Sequence, residues 1–420
     1  MNKLISLNKV SFSVYMIKIF DYICKFSFLL LIPILYSFEL VGEINLFLSY
    51  LALQSCFFSL GLNTSVIKKV SSKKLNKNQI IVYFTKCILL IFIFSIFFFF
   101  IFYLLNLHFK FYYHDNFKLL LYLFLSSLSF CITSLISSFL RGLGKFYTAQ
   151  VIIGILWYFP LILILVIDNI YIGKISDLSD FIKIVTVLLL LNAFTSASIL
   201  FNKFKKINFK IPLKHSTKIN FNIFHYLDVF FSQIYTWIPI IIFSFYMDSV
   251  QLGILSTYYR LGIFLIGSLS LIEFIISKDV SFYFAKQKYD EIVNIFKKFK
   301  KIQTIILIIN TLFLIIGIVI INYFIKRIVY FDLNFVLFFC SIILGLSLGP
   351  VKSILLYTRF EKEIISIKFL ILILIFILIK INFLLEKNSS YILNIMGFVI
   401  LIDYVILHLL VKMNFLKRRG

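Results

Sequence analysis

Charged side chains are scarce in this sequence of 420 residues, because Asp, Glu, Lys and Arg together make up only 14% of it. Soluble domains are ordinarily about 25% charged and about 45–50% apolar. This chain is 61% hydrophobic, with a mean hydropathy of +1.03. Its polar side chains are too few to cover the surface of a soluble fold of this length, which excludes a soluble globular enzyme.

Cysteine is also rare, and its placement excludes two further classes of protein. The five cysteines all lie in apolar stretches, and none has the spacing of a zinc site or of a disulfide framework. The five histidines are scattered without metal-ligand spacing, and no G-x-x-x-x-G-K-[ST] phosphate-binding loop occurs. We therefore expect no metal site, no cofactor and no ATP hydrolysis.

What the sequence has in abundance is long apolar segments separated by short polar ones. Backbone groups cannot stay unpaired in lipid, so each segment that spans the membrane must be helical. Hydropathy therefore predicts an all-α polytopic membrane protein with twelve transmembrane helices. The predicted spans are 12–36, 43–67, 80–106, 117–140, 148–168, 181–201, 222–246, 251–276, 302–325, 332–356, 364–385 and 390–411.

Acidic residues are few, 18 against 42 basic ones, and the resulting net charge of +24 is unevenly distributed. Most loop lysines and arginines follow the even-numbered spans or lie in the two tails. The positive-inside rule then predicts that both termini are cytoplasmic. This distribution accounts for the charge without nucleic acid as a partner, and it predicts contacts between the basic cytoplasmic loops and anionic lipids.

Segment 290–301 combines this basic charge with helical periodicity. Ile292, Ile295, Phe296 and Phe299 recur at the spacing of one helix face, and four lysines accompany them at positions 297, 298, 300 and 301. Two interpretations stay open. The segment is either an amphipathic helix that lies in the membrane interface, or a cytosolic extension of the ninth span.

The chain divides into two similar halves. A basic linker at 202–221 separates a six-helix bundle at 1–201 from a second six-helix bundle at 222–420. Val41-Gly42 before the second span matches Leu252-Gly253 before the eighth, an offset of 211 residues. Repeats of this kind are typical of alternating-access transporters.

Several stretches resemble the polysaccharide flippases of the multidrug/oligosaccharidyl-lipid/polysaccharide (MOP) exporter superfamily. The similarity is greatest to the O-antigen and capsule repeat-unit flippases of the Wzx type. The stretches are 41–47, 59–69, 139–146 (Phe-Leu-Arg-Gly-Leu-Gly-Lys-Phe), 252–261, the basic segment after the eighth span, and Gly345 with Gly349-Pro350.

This resemblance implies a MATE-like arrangement of two six-helix bundles around a central cavity. It implies a flippase that moves polyprenyl-pyrophosphate-linked oligosaccharide from the cytoplasmic to the outer leaflet of the bacterial inner or plasma membrane. It also implies coupling to a cation or proton, and a polysaccharide polymerase and a chain-length regulator as further partners.

Ionisable residues within spans are costly in lipid and therefore indicate function. Lys18, Asp21 and Lys25 share one face of the first span, within a sector of about 60°. Arg260 lies roughly 12–14 Å deep in the eighth span and cannot easily reach the headgroups. The candidate substrate-binding residues, which would form a cationic cavity for a diphosphate, are Arg260, Lys25, Lys18, Lys86 and Lys368.

The in-span carboxylates are candidates for ion coupling or for counter-ions of the cavity cations. They are Asp21, Asp228, Glu273 and Asp403. Asp21 and Lys25 are four residues apart, so they could also form a purely structural pair. Lys18, Lys86 and Lys368 could instead extend to the headgroups.

Two other functions compete with a flippase. A MATE-type multidrug or cation antiporter shares the superfamily, but its mostly cationic substrates suit an acidic cavity, whereas basic residues outnumber acidic ones within these spans. An integral-membrane polysaccharide polymerase or glycosyltransferase would place catalytic groups in a large outer loop. The predicted outer loops are too short for that, so we expect a transporter rather than an enzyme.

Overall fold

The structure, a computed structural model, describes residues 2–71, 77–109, 117–173, 175, 177–204, 223–267, 276, 280, 283–284, 286–325, 333–358, 360–384 and 391–416. The regular elements among them are all helical, which confirms the all-α prediction. The helices are α1 (Asn2–Leu35), α2 (Phe38–Ser59), α3 (Leu62–Ser71), α4 (Lys77–Phe109), α5 (Phe117–Gly142), α6 (Phe146–Gln150), α7 (Leu156–Ile167), α8 (Leu178–Phe204), α9 (Ile223–Ser244), α10 (Ser249–Gly267), α11 (Tyr289–Ile325), α12 (Leu333–Ser347), α13 (Val351–Tyr357), α14 (Glu361–Leu384) and α15 (Tyr391–Val411). Three π-helical turns, Val151–Ile155, Asp168–Ile172 and Lys412–Leu416, follow α6, α7 and α15.

The apolar helices identify a multi-pass membrane protein. Within the described ranges, nine helices are long and apolar enough to cross a membrane, or ten if the bent pair Tyr226–Ile234 and Thr236–Ser244 forms one span. Many large apolar side chains point outward, and Phe194 is 70% exposed. Such a surface would aggregate in water but suits contact with lipid. The count of twelve spans and the cytoplasmic termini stay predictions.

The chain forms two compact units that do not follow a single cut in the sequence. The first comprises Met1–Phe28 and Glu43–Ile241, and the second comprises Leu29–Gly42 and Ile242–Gly420. The end of α1 and the start of α2 thus belong to the second unit, and most of α9 belongs to the first. The predicted linker at 202–221 lies largely outside the described residues, and the predicted domain boundaries remain a prediction.

Hydrogen bonds between buried polar side chains join helices of the first unit. Ser126 of α5 hydrogen-bonds to Thr186 of α8 at 2.8 Å, and Ser127 donates to Gln54 of α2 at 3.1 Å. Ser126, Ser127 and Thr186 are buried. Small hydroxyl residues let helices approach closely, and their hydrogen bonds join helices in a medium where neither partner could be hydrated.

Glycines allow equally close packing in the second unit. A Cβ placed on Gly397 of α15 would lie 2.9 Å from the Cα of Phe338 in α12. A Cβ placed on Gly262 of α10 would lie 2.4 Å from the ring of the same Phe338. The ring is therefore enclosed by α10 and α15, which fixes the course of the helix that carries Arg260.

The starts of α2 and α10 meet in a reciprocal contact within the second unit. A Cβ on Gly42 would lie 2.3 Å from the carbonyl oxygen of Ser249, and a Cβ on Gly253 would lie 1.9 Å from that of Phe38. Gly42 and Gly253 are 211 residues apart, and so are Phe38 and Ser249, which supply the two carbonyl oxygens. This is the offset identified in the sequence. Such an exchange of equivalent contacts is expected of residues related by a local two-fold axis.

The basic segment 290–301 continues directly into a membrane helix. It forms the start of α11, a single helix of 37 residues, which at 1.5 Å per residue is far longer than the roughly 30 Å of hydrocarbon in a bilayer. Ile292, Phe296 and Phe299 are buried, whereas Lys297 and Lys301 are exposed. The apolar face packs on the protein, so the segment is an extension of the span.

Candidate functional site

The candidate site of the first unit is built around Asp21 in α1. Its Oδ2 accepts a hydrogen bond from Lys25 Nζ at 2.8 Å and another from Gln150 Nε2 at 3.1 Å. The Asp21 side chain is 7% exposed, and that of Lys25 is 38% exposed. The two residues that the sequence placed one helical turn apart therefore form an ion pair, and the pair has a third member from α6.

A π-helical turn places this third member. Gln150 ends α6, and the wider turn Val151–Ile155 follows it. A Cβ placed on Gly154 in that turn would lie 1.8 Å from Asp21 Oδ1. Only glycine permits this approach, and single π-helical turns are frequent at functional sites.

The irregular turn is braced by side chains from neighbouring helices. Ser137 Oγ of α5 donates to the carbonyl of Ala149 at 2.9 Å, and Asn192 Nδ2 of α8 donates to the carbonyl of Ile152 at 3.0 Å. Both bonds are buried. Carbonyls released from the regular ladder need such partners at membrane depth, because no water can serve them.

One aromatic ring lies beside the cation of this site. Lys25 Nζ lies 5.6 Å from the centroid of the Tyr158 ring, within the range of a cation–π interaction. That ring lies against Phe28 at 5.5 Å and against Trp157 at 3.9 Å between centroids. Trp157 is buried, so the accessible aromatic face beside Lys25 is that of Tyr158.

A second cation near the site comes from the end of α5. Arg141 interacts electrostatically with Asp21. Asp21 Oδ1 is buried and has no hydrogen-bond partner among the residues that the structure describes. The carboxylate is thus surrounded by more positive charge than it neutralises, but only one of its oxygens is hydrogen-bonded.

Three sequence candidates of the first unit remain, one each in α1, α4 and α9. Lys18 is half-buried in α1, Lys86 is half-buried in α4, and Asp228 is buried in α9. Ser232 Oγ donates to the backbone carbonyl of Asp228 at 2.7 Å. These residues do not join the Asp21 hydrogen bonds described above.

The second unit contains its own buried charges. Arg260 of α10 and Lys368 of α14 are each 7% exposed, and Asp403 of α15 is half-buried. Each of the three takes part in a contact or electrostatic interaction. Glu273 lies outside the described residues. In the described part of the chain, no group of three His, Cys, Asp or Glu residues could hold a metal ion.

Sequence reasoning missed four residues around Asp21, namely Arg141, Gln150, Gly154 and Tyr158. A search restricted to charged residues within the predicted spans passes over a neutral amide, a glycine and a phenol, and it leaves out Arg141, which follows the predicted fourth span. The only local signal was that Gln150 is a long polar side chain at the start of an otherwise apolar span.

Replacing Gly154 by alanine is expected to destabilise the first unit by about 2 kcal/mol, because the new methyl group would overlap the Asp21 carboxylate. Thermal unfolding of the purified protein measures the loss. The double variant Gly154→Ala/Asp21→Ala should lose less than the sum of the two single variants, because the carboxylate that clashes has been removed. Strict additivity would contradict this arrangement.

Comparisons with known proteins give similarity in structure but not in sequence. No protein-family model and no curated protein sequence matches the chain. An inward-facing multidrug resistance MATE transporter of the MOP superfamily matches with a TM-score of 0.68 at 10% identity, over 97% of this chain and 99% of that chain. The MATE multidrug transporter DinF-BH matches with a TM-score of 0.65 at 14% identity, over 97% of this chain and 95% of that chain.

A third solved structure has a different pocket. It is a MOP superfamily transporter from Pyrococcus furiosus, described by the reverse polarity of its binding pocket. It matches with a TM-score of 0.63 at 12% identity, over 98% of this chain and 94% of that chain. At such identities the similarity establishes fold alone, and the chain has the MATE-like fold of the MOP-superfamily transporters.

Proposed function

We propose that the protein is a flippase that moves a polyprenyl-diphosphate-linked oligosaccharide between membrane leaflets by alternating access. The observation that carries this proposal is the presence of cations buried within its helices, alongside the buried carboxylates Asp21, Asp168 and Asp228. Arg260 and Lys368 are buried in one unit, and in the other Lys25 is half-exposed beside an aromatic ring. Buried cations are costly in lipid, and they fit a carrier whose cargo brings the negative charge.

The fold supports transport as the general activity. It does not specify the substrate, which depends on the side chains of the site. Two of the similar structures are multidrug transporters, whereas the transporter with a pocket of reverse polarity indicates that the same fold also occurs with other pocket charges. Cations buried among the helices favour an anionic cargo. Arg supplies two parallel hydrogen bonds to phosphate, and Lys supplies a compact charge.

The second candidate function is a MATE-type drug or cation antiporter. Asp21 and Asp228 favour it, because both are buried carboxylates on membrane helices, and a carboxylate can exchange a proton for a cationic drug. Asp21 is already paired with Lys25, however, so it offers less negative charge to a cationic substrate than an isolated carboxylate would.

The proposal also covers the membrane in which the protein acts and the partners that it has there. The protein would act in the bacterial inner or plasma membrane, with a polysaccharide polymerase and a chain-length regulator as partners. The exposed lysines at the start of α11, such as Lys297, Lys298 and Lys301, would contact anionic lipid headgroups.

A leaflet assay in the native host tests the proposed function. After depletion of the protein, lipid-linked oligosaccharide should accumulate on the cytoplasmic side, and exofacial glycan labelling should fall in proportion to the loss of the protein. Expression of the wild-type chain should restore labelling. Normal glycan export together with increased drug sensitivity would reject the flippase and support the antiporter.

A further inference from the structure

We propose that Asp21 competes with the cargo for the Lys25 ammonium. When the cargo binds, its diphosphate replaces Asp21 as the partner of Lys25. This inference rests on the proposed function and adds a mechanism to its site. In the empty carrier Lys25 is neutralised by Asp21. In the loaded carrier the same ammonium is neutralised by the cargo, and Asp21 remains with Gln150.

The exposure of the two partners gives the exchange its direction. The Lys25 side chain is 38% exposed, whereas that of Asp21 is only 7% exposed. The ammonium is therefore the more accessible of the two groups to an arriving anion. The Tyr158 ring beside Lys25 is compatible with such an anion, because the ring attracts the cation through its face and does not neutralise the positive charge.

Asp21 has another partner once Lys25 leaves it. Gln150 Nε2 already donates to Asp21 Oδ2 at 3.1 Å, and the Arg141 charge acts on the same carboxylate. The Asp21 Oδ1, which lies against Gly154, has no hydrogen bond among the described residues. With Gln150 as a second donor in place and the Arg141 charge acting on it, the carboxylate can lose Lys25 without becoming an isolated buried charge.

The exchange explains why a carrier for an anion would contain a buried acid. An empty carrier that returned with an uncompensated ammonium would bear the cost of a bare charge in a medium of low dielectric constant. With Asp21 in place, Lys25 is compensated in both the empty and the loaded state. This arrangement lowers the affinity for the cargo, because the diphosphate must displace Asp21 from its ion pair with Lys25, in which Nζ and Oδ2 are 2.8 Å apart.

Equilibrium binding to the purified full-length protein in nanodiscs tests the proposal. The probes are a polyprenyl diphosphate, the uncharged polyprenol of the same length, and inorganic pyrophosphate. Asp21→Asn keeps the shape of the side chain and removes its charge. It should bind the polyprenyl diphosphate about five- to tenfold more tightly than the wild type does, less than a fully desolvated charge pair would give because the Lys25 side chain is 38% exposed, and its affinity for polyprenol should not change.

A second variant should change affinity in the opposite direction. Gln150→Leu removes the other partner of Asp21, so the carboxylate should hold Lys25 more firmly and the diphosphate should bind several-fold more weakly. Damage to the fold would weaken binding in both variants, so opposite signs separate competition from a structural role. In a Lys25→Gln background, Asp21→Asn should bring no gain in affinity.

Asp180 and Lys183 provide a matched control in the same unit. They form an ion pair of the same length, 2.8 Å, but both are exposed, so Asp180→Asn should leave binding unchanged. An equal gain with inorganic pyrophosphate would support the diphosphate as the recognised group. A gain with polyprenol, or none with the diphosphate, would overturn the competitor role. If the wild type does not prefer polyprenyl diphosphate to polyprenol, the proposed function itself fails.

Discussion

Replacing Gly253 by alanine is expected to lower the free energy of unfolding of the second unit by about 3 kcal/mol, at the upper end for an overpacked site. The added Cβ would lie 1.9 Å from the Phe38 carbonyl oxygen. That oxygen belongs to the backbone at the start of α2 and cannot rotate away as a side chain would. The helices themselves would have to separate.

Thermal unfolding of the purified protein measures this loss, and Gly267 provides the control on the same helix. An added Cβ at Gly267 meets no described atom within 4 Å. Gly267→Ala should therefore be neutral or slightly stabilising, since alanine favours helix over glycine. Gly42→Ala should resemble Gly253→Ala, because its Cβ would meet the Ser249 carbonyl at 2.3 Å. Equal stability of the Gly253 and Gly267 variants would contradict the contact.

The same contact has a consequence for transport. Alternating access requires some helix ends to separate and to come together again. Because Gly42 and Gly253 have no side chains, the two helix backbones can return to direct contact. Variants at Gly42 or Gly253 that still fold should therefore translocate cargo more slowly. Gly267→Ala should not slow translocation.

Replacing Arg260 by methionine is expected to reduce lipid-linked oligosaccharide translocation at least tenfold while the protein still folds. Methionine retains much of the volume of the arginine stem but none of its charge or its hydrogen bonds. Under the proposed function Arg260 holds a phosphate, and a tenfold loss corresponds to about 1.4 kcal/mol. The leaflet assay at matched expression measures the effect.

Arg260→Lys separates charge from geometry. Lysine keeps the positive charge but cannot make two parallel hydrogen bonds to one phosphate, so activity should be intermediate. Thermal unfolding of both variants shows whether the packing of α10 survives. Wild-type translocation by a folded Arg260→Met protein would remove this residue from the substrate site.

The sequence predicted the helical class of the molecule well because that prediction rests on local chemistry. An excess of apolar side chains and the need to pair backbone groups in lipid lead to helices without any knowledge of packing. The i, i+4 spacing likewise indicated that Asp21 and Lys25 could pair. The alternatives for segment 290–301 could not be separated from periodicity, since its apolar face suits lipid and protein equally.

The arrangement of the site was not predictable in this way. Gln150 reaches Asp21 from 129 residues away in sequence, and it does so through a π-helical turn that no spacing rule identified. Gly154 and Tyr158 matter only because that turn brings them to α1. Their residue types are too common in the chain to stand out before the helices are packed.

By itself, then, the sequence determined a multi-pass helical membrane protein with basic side chains within its helices, because hydropathy and helical period act over short stretches of chain. Only the tertiary structure decided which polar groups meet Asp21 and that Gly42 and Gly253 touch. Those contacts depend on how distant helices approach, and that approach is set by small residues and interhelical hydrogen bonds whose effect appears only when both helices are in place.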